Sequence, residues 1–95
     1  SQVHTAEPVL EYLQDIVAAT RSGRWFAQGL SPRAALAVVR SAKAQAYLSG
    51  RDYVAPDDIA AILPQTVAHR LIPVSDAGRG AVEQVRAMVE ATPLP

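Results

Sequence analysis

The chain contains no cysteine, so disulfides and thiolate metal sites are excluded. It also has no net charge: nine Lys and Arg balance nine Asp and Glu. That balance removes the basic footprint expected of a protein that binds nucleic acid or an anionic membrane, and neither is expected as a partner. Aromatic residues make up only 5% of the sequence, too few for the side-chain supply of a typical all-β core. No apolar run approaches the roughly 20 residues needed to span a bilayer. There is no charged-then-apolar leader, and the chain opens Ser1-Gln2-Val3 rather than with methionine. The expectation is a soluble, cytoplasmic piece of a longer protein.

What is present is small and apolar. Alanine supplies 18 of 95 residues and the hydrophobic fraction is 49%, a composition suited to closely packed helices. A chain of this length buries roughly 60 to 68% of its unfolded surface, enough for one core. The expected fold is all-α: a small bundle of four to five helices in one domain, residues 1–95.

Periodicity divides the chain. Val9, Leu10, Leu13, Ile16, Val17 and Thr20 recur at helical spacing, predicting a helix over residues 6–21 with Thr5 as cap, Pro8 in the first turn, Arg21 complementing the dipole and Gly23 as stop. Residues 22–30 show no helical period and read as a loop pinned by Trp25 and Phe26. Ser31-Pro32 then supplies a cap and a first-turn proline for a second helix, which runs to Ser49 before Gly50. Leu36, Val38, Val39, Ala42, Ala46 and Leu48 surround well over half of it, so it is expected to be the central helix. Tyr53 and Val54 are extended, with a minimal two-strand bridge expected near Leu30 and Tyr53. Pro56-Asp57-Asp58 starts a third helix, and Pro64 is expected to end it and begin a short fourth at an angle, as far as His69. Residues 75–80 read as a connection, and Ala81, Val82, Val85, Met88 and Val89 define a last helix to Ala91.

Few residues promise chemistry. No nucleophile–base pair or phosphate-cradling glycine loop can be assembled. His4 and His69 are the only histidines and make a weak metal site; Asp57 and Asp58 are accounted for by the helix dipole. The exception is Gly29-Leu30-Ser31-Pro32-Arg33-Ala34, where Arg33 lies in the first turn, the end at which the dipole disfavours a cation. Its guanidinium and the free amides of a helix start suit an oxyanion such as phosphate; a solvated arginine is the plainer alternative.

Four blocks taken together carry a resemblance: Gly29 to Ala34, Ala42-Lys43-Ala44, Gly50-Arg51-Asp52-Tyr53-Val54-Ala55-Pro56-Asp57-Asp58, and Ala68-His69-Arg70-Leu71. In this order and spacing, and with Tyr12 and Ala19-Thr20-Arg21 before them, the chain resembles the C-terminal lid of MoxR-type AAA+ ATPases over nearly its whole length. Leu30 stands where that family often has alanine, and Ala55 where it often has Ser or Thr, which weakens a cap. The resemblance implies that Arg33 is the sensor 2 arginine that reads the terminal phosphate of ATP, with Gly29, Ser31 and Pro32 forming its nucleotide-binding segment. It implies that ATP and Mg²⁺ bind only with an N-terminal AAA+ core belonging to the same chain, and that these residues alone are inactive. Neighbouring subunits of a ring and von Willebrand A-domain proteins are the implied partners, in a chaperone-like remodelling machine. Trp25 and Phe26 either flank the adenine or plug the core; Arg21, Arg24 and Arg70 either face a neighbouring subunit or are solvated. The competing reading is a non-enzymatic helical interaction module, a histone-fold-like dimerisation domain, which shares a long helix followed by a Tyr-Val-x-Pro-Asp-Asp-Ile start.

Overall fold

The computed structural model describes residues 4–74 and 80–95. In chain order these form strand β1 (His4–Thr5), helix α1 (Glu7–Thr20), helix α2 (Pro32–Leu48), strand β2 (Tyr53–Val54), helix α3 (Pro56–Val67), a 3₁₀ turn (Ala68–Arg70) and helix α4 (Ala81–Ala91). The fold is a small all-α bundle, and the bounds of α2 and α4 agree with the sequence reading. Of the connection expected over residues 75–80, all but Gly80 lies outside the described residues.

Each helix contributes an apolar stripe to one core. Val9, Tyr12, Leu13 and Ile16 come from α1; Ile59, Leu63 and Val67 from α3; Val85 and Met88 from α4. The buried stripe of α2 is Ala34, Val38, Ala42 and Ala46, one residue per turn and mostly alanine, so its backbone approaches α3 closely. Leu36 and Leu48, expected to face inward, are exposed, Leu48 at 81%. A one-residue-per-turn stripe covers only a narrow face, so α2 lies along one side of the bundle. The central element is α3, which packs against α1, α2 and α4.

Three further expectations are corrected. Pro64 does not break the third helix: α3 runs through it to Val67, and only the 3₁₀ turn follows. An interior proline costs about 3 kcal/mol, but Leu63, Pro64 and Val67 are all buried here, and their packing keeps the helix continuous past the defect. The two-strand bridge exists, but β2 pairs in parallel with β1, His4 opposite Tyr53 and Thr5 opposite Val54, rather than with the segment at Leu30. Leu30 has no backbone groups to offer a strand, because both are already bonded to the end of α1. With its backbone in the bridge, Thr5 does not cap α1; the cap position is Ala6, with no side-chain bond.

The C-terminal end of α2 is held by an ion pair that sequence reasoning missed. After Gly50, which adopts φ +78° in the left-handed region open to glycine, Arg51 turns back to make a two-pronged contact with Asp58, at 2.7 and 2.9 Å. Asp58 Oδ2 also accepts the Ala55 N–H at 2.7 Å, supplying the start of α3 with the cap that Ala55 lacks. Hydrogen bonding from Arg51 holds the Asp58 carboxyl below its ordinary 3.8. A depressed folded-state value means the stabilisation is complete above that ordinary value and is lost as pH falls through the lowered one. Asp58→Asn keeps one acceptor for Ala55 but loses the charge pair. It should lower the melting temperature by a few degrees at pH 7, and the difference from the parent should close below pH 3.8, as followed by circular dichroism.

Candidate functional site

Arg33 is the second residue of α2, and two local features place it. Ser31 is extended and its Oγ accepts the Ala34 N–H at 3.1 Å, an N-cap in the expected position. Pro32 begins the helix with its φ fixed and no N–H to satisfy. The guanidinium of Arg33 is exposed and pairs with no acidic side chain among the described residues, and α2 has no acid in its first turn. A cation therefore stands at a helix start with nothing in the described residues to neutralise it.

The residue that anchors this start is Leu30. Its side chain is buried, 2% exposed, so its backbone lies against the core and must find protein partners. Thr20 and Arg21, at the end of α1, provide both. Thr20 Oγ1 donates to the Val17 carbonyl at 2.7 Å and accepts the Leu30 N–H at 2.9 Å. Arg21 Nη2 and Nε both donate to the Leu30 carbonyl, at 3.0 and 3.3 Å. Gly29 has to be glycine because of close approach rather than unusual φ: a Cβ there would overlap Cγ of Arg21 and sit 3.0 Å from its Cα. Arg21 thus binds a carbonyl instead of serving the helix dipole, and the Thr20–Arg21 clamp was not legible as such in the sequence. Gly29, Ser31, Pro32 and Arg33 lie on the segment that leads from this clamp into the first turn of α2.

The rest of the loop is fixed from below. Phe26 is fully buried, Ala27 N–H donates to the Ile72 carbonyl at 2.8 Å, and Val74 N–H and Gln84 Nε2 both donate to the Trp25 carbonyl, at 3.2 and 3.0 Å. Phe26 is therefore a plug of the core. Trp25 is half-buried with the Arg24 guanidinium 4.5 Å from its ring centroid. His69 and Arg70 lie exposed in the 3₁₀ turn, hydrogen-bonded to each other at 3.2 Å. Among the described residues there is no group of three or more His, Asp or Glu side chains that could hold a metal ion. No helix among them is long and apolar enough to cross a membrane.

Residues 18–91 match the family model described as the AAA lid domain. The chain is 36% identical to the Bacillus subtilis protein YeaC over 98% of its own length and 30% of that protein's. It is 37% identical to Chaperone MoxR1 of Mycobacterium tuberculosis, over 79% of this chain and 22% of the relative. Protein MoxR of Methylorubrum extorquens is 39% identical over 70% of this chain and 21% of its own. A solved structure of a Cytophaga hutchinsonii protein assigned as an ATPase superposes with a TM-score of 0.85 at 27% identity, covering 99% of this chain and 32% of that one. The chain thus spans a third or less of the length of each of these relatives.

If Ser31 sets the start of α2, Ser31→Ala should cost about 1 kcal/mol, the scale of a lost N-cap. Thermal denaturation gives the stability change, and amide hydrogen exchange should show faster exchange confined to Ala34 and its neighbours in the first turn.

Proposed function

The chain belongs to the AAA lid domain family, and on that premise we propose that it is the C-terminal lid of a MoxR-type AAA+ ATPase, supplying Arg33 as the sensor 2 arginine. The observation that carries this reading is Arg33, exposed and without an acidic partner among the described residues, in the capped first turn of α2 on the Gly29-Leu30-Ser31-Pro32 segment.

In this reading ATP is the substrate of the complete protein. Phosphoryl transfer to water is accelerated by positioning and by stabilising charge on the transferred group. Ala34 N–H is occupied by Ser31 and Pro32 has none, which leaves the Arg33 guanidinium and its own amide as the donors of this turn. Arg33 donates to the terminal phosphate when it is present and loses that partner after hydrolysis. The difference in interaction between the two states moves the lid relative to the core. The phosphate-binding loop, the lysine on phosphate and the Mg²⁺ ligands belong to an N-terminal AAA+ core, and residues 1–95 are a single lid domain working with it. The relative named Chaperone MoxR1 supports a chaperone-like role in protein remodelling; in this reading the machine is a cytoplasmic ring. Von Willebrand A-domain proteins are its proposed partners.

Arg33→Ala in the complete ATPase tests this. Hydrolysis should fall by about 10²- to 10³-fold, the effect of removing one preorganised charge-stabilising donor, while the circular dichroism of the lid is unchanged. Hydrolysis at the parental rate would refute the assignment.

A further inference from the structure

We propose that Arg21, together with Thr20, is a positioning residue for Arg33: it holds the Leu30 backbone in place and thereby fixes the direction in which the start of α2 presents its arginine. The inference rests on the reading of Arg33 as the phosphate contact, and it assigns the control of that contact to the far end of a different helix.

The geometry favours a tether over packing as the device that sets this spacing. α1 and α2 have little direct contact, since each packs on α3. Between them lies an open, mostly apolar groove of about 320 Å³, lined by Leu13, Gln14, Val17, Ala18 and Arg21 on one side and Ala35 on the other. The bonds at Leu30 bridge this groove on the α1 side, while Ala34 packs the first turn of α2 into the core. They are also short of slack. Leu30 adjoins the cap Ser31, Pro32 has a fixed φ, and Arg33 follows directly. A displacement of Leu30 is therefore passed to the Arg33 backbone through two residues, Ser31 held as the cap and Pro32 fixed in φ.

The residue types suit the task. Arg21 offers two N–H groups, from Nε and Nη2, to one carbonyl, and its aliphatic stem crosses Gly29 where no Cβ can be accommodated. Its partner is a neutral carbonyl rather than a carboxylate, so the contact fixes orientation without cancelling the positive charge beside the site. Arg21 does not touch the nucleotide in this scheme. It acts through Leu30.

The test uses the complete ATPase and four variants: Arg21→Met, Arg21→Lys, Arg33→Ala and the double variant Arg21→Met/Arg33→Ala. The measurements are kcat and the ratio of ATP to ADP affinity. Arg21→Met should lower kcat by about 10- to 100-fold, as expected when a reacting group is displaced by roughly 1 Å. It should also reduce the preference for ATP towards the Arg33→Ala value, with ADP affinity unchanged. A purely structural role would weaken both nucleotides alike. Arg21→Lys keeps the stem over Gly29 and one donor, so it should recover part of the loss; it carries the test if Arg21→Met does not fold. The double variant should be no worse than Arg33→Ala, because a residue acting only through another adds nothing once that one is gone.

Parental kcat and ATP preference in both Arg21 variants, with Arg33→Ala impaired, would overturn the positioning role and leave the phosphate contact standing. Additive loss in the double variant would overturn it equally. An inert Arg33→Ala would overturn the phosphate reading and this inference together.

Discussion

A buried leucine between two helices brings its own amide and carbonyl out of water, and both must be bonded. In this chain that requirement falls on Leu30, and the last turn of α1 meets it with one hydroxyl and one guanidinium. Much of the arrangement follows. The amide and carbonyl of Leu30 are bonded to the end of α1, and β2 pairs with β1. Arg21 must lie across residue 29, so that position is glycine. The chain leaves Leu30 directly into the Ser31 cap, so the orientation of α2 and the position of Arg33 are set at the same point.

The opposite end of α2 is held by different means. Gly50 reverses the chain, Arg51 pairs with Asp58, and Asp58 in turn caps α3. Between these two ends α2 touches α3 through a stripe of small side chains, which allows a close and stiff contact at the expense of buried area. The outcome is a helix tied at its start to the end of α1 and at its other end to α3, with Arg33 near its tip. A lid that transmits the presence or absence of a phosphate needs such stiffness, since a loosely hinged arginine would adapt to its ligand without moving anything else. A histone-like module would run its longest helix through the middle of a dimer. Here the longest helix lies at one side of a bundle centred on α3.

The features legible in the sequence were those with local causes. Ser31-Pro32 marked the start of α2 because cap and first-turn proline act within one turn, and α4 was bounded by its own period. Pro64 misled because local steric cost predicts a break, whereas the burial of Leu63, Pro64 and Val67 decides it, and burial depends on what lies opposite. The alanines of α2 misled in a related way: a small residue reads equally well as surface or as close contact until its neighbour is known. Arg21 and Gly29 illustrate the limit most clearly. They stand eight positions apart on either side of a loop, and neither residue type alone signals the other. The segment from Gly29 to Arg33 could be singled out because a cation at a helix start is electrostatically unusual; Ala19-Thr20-Arg21 enters the resemblance, but its contact with Leu30 breaks no local rule and so could not be read from the residues.

The central claim is that the fold of this chain exists to hold Arg33 where it meets a terminal phosphate. The most direct measurement is a structure of the complete ATPase with a non-hydrolysable ATP analogue bound. The account predicts a guanidinium nitrogen of Arg33 within roughly 2.7 to 3.2 Å of a γ-phosphate oxygen, with Arg21 still bonded to the Leu30 carbonyl. An Arg33 side chain turned to solvent, with the γ-phosphate met by other residues alone, would contradict it.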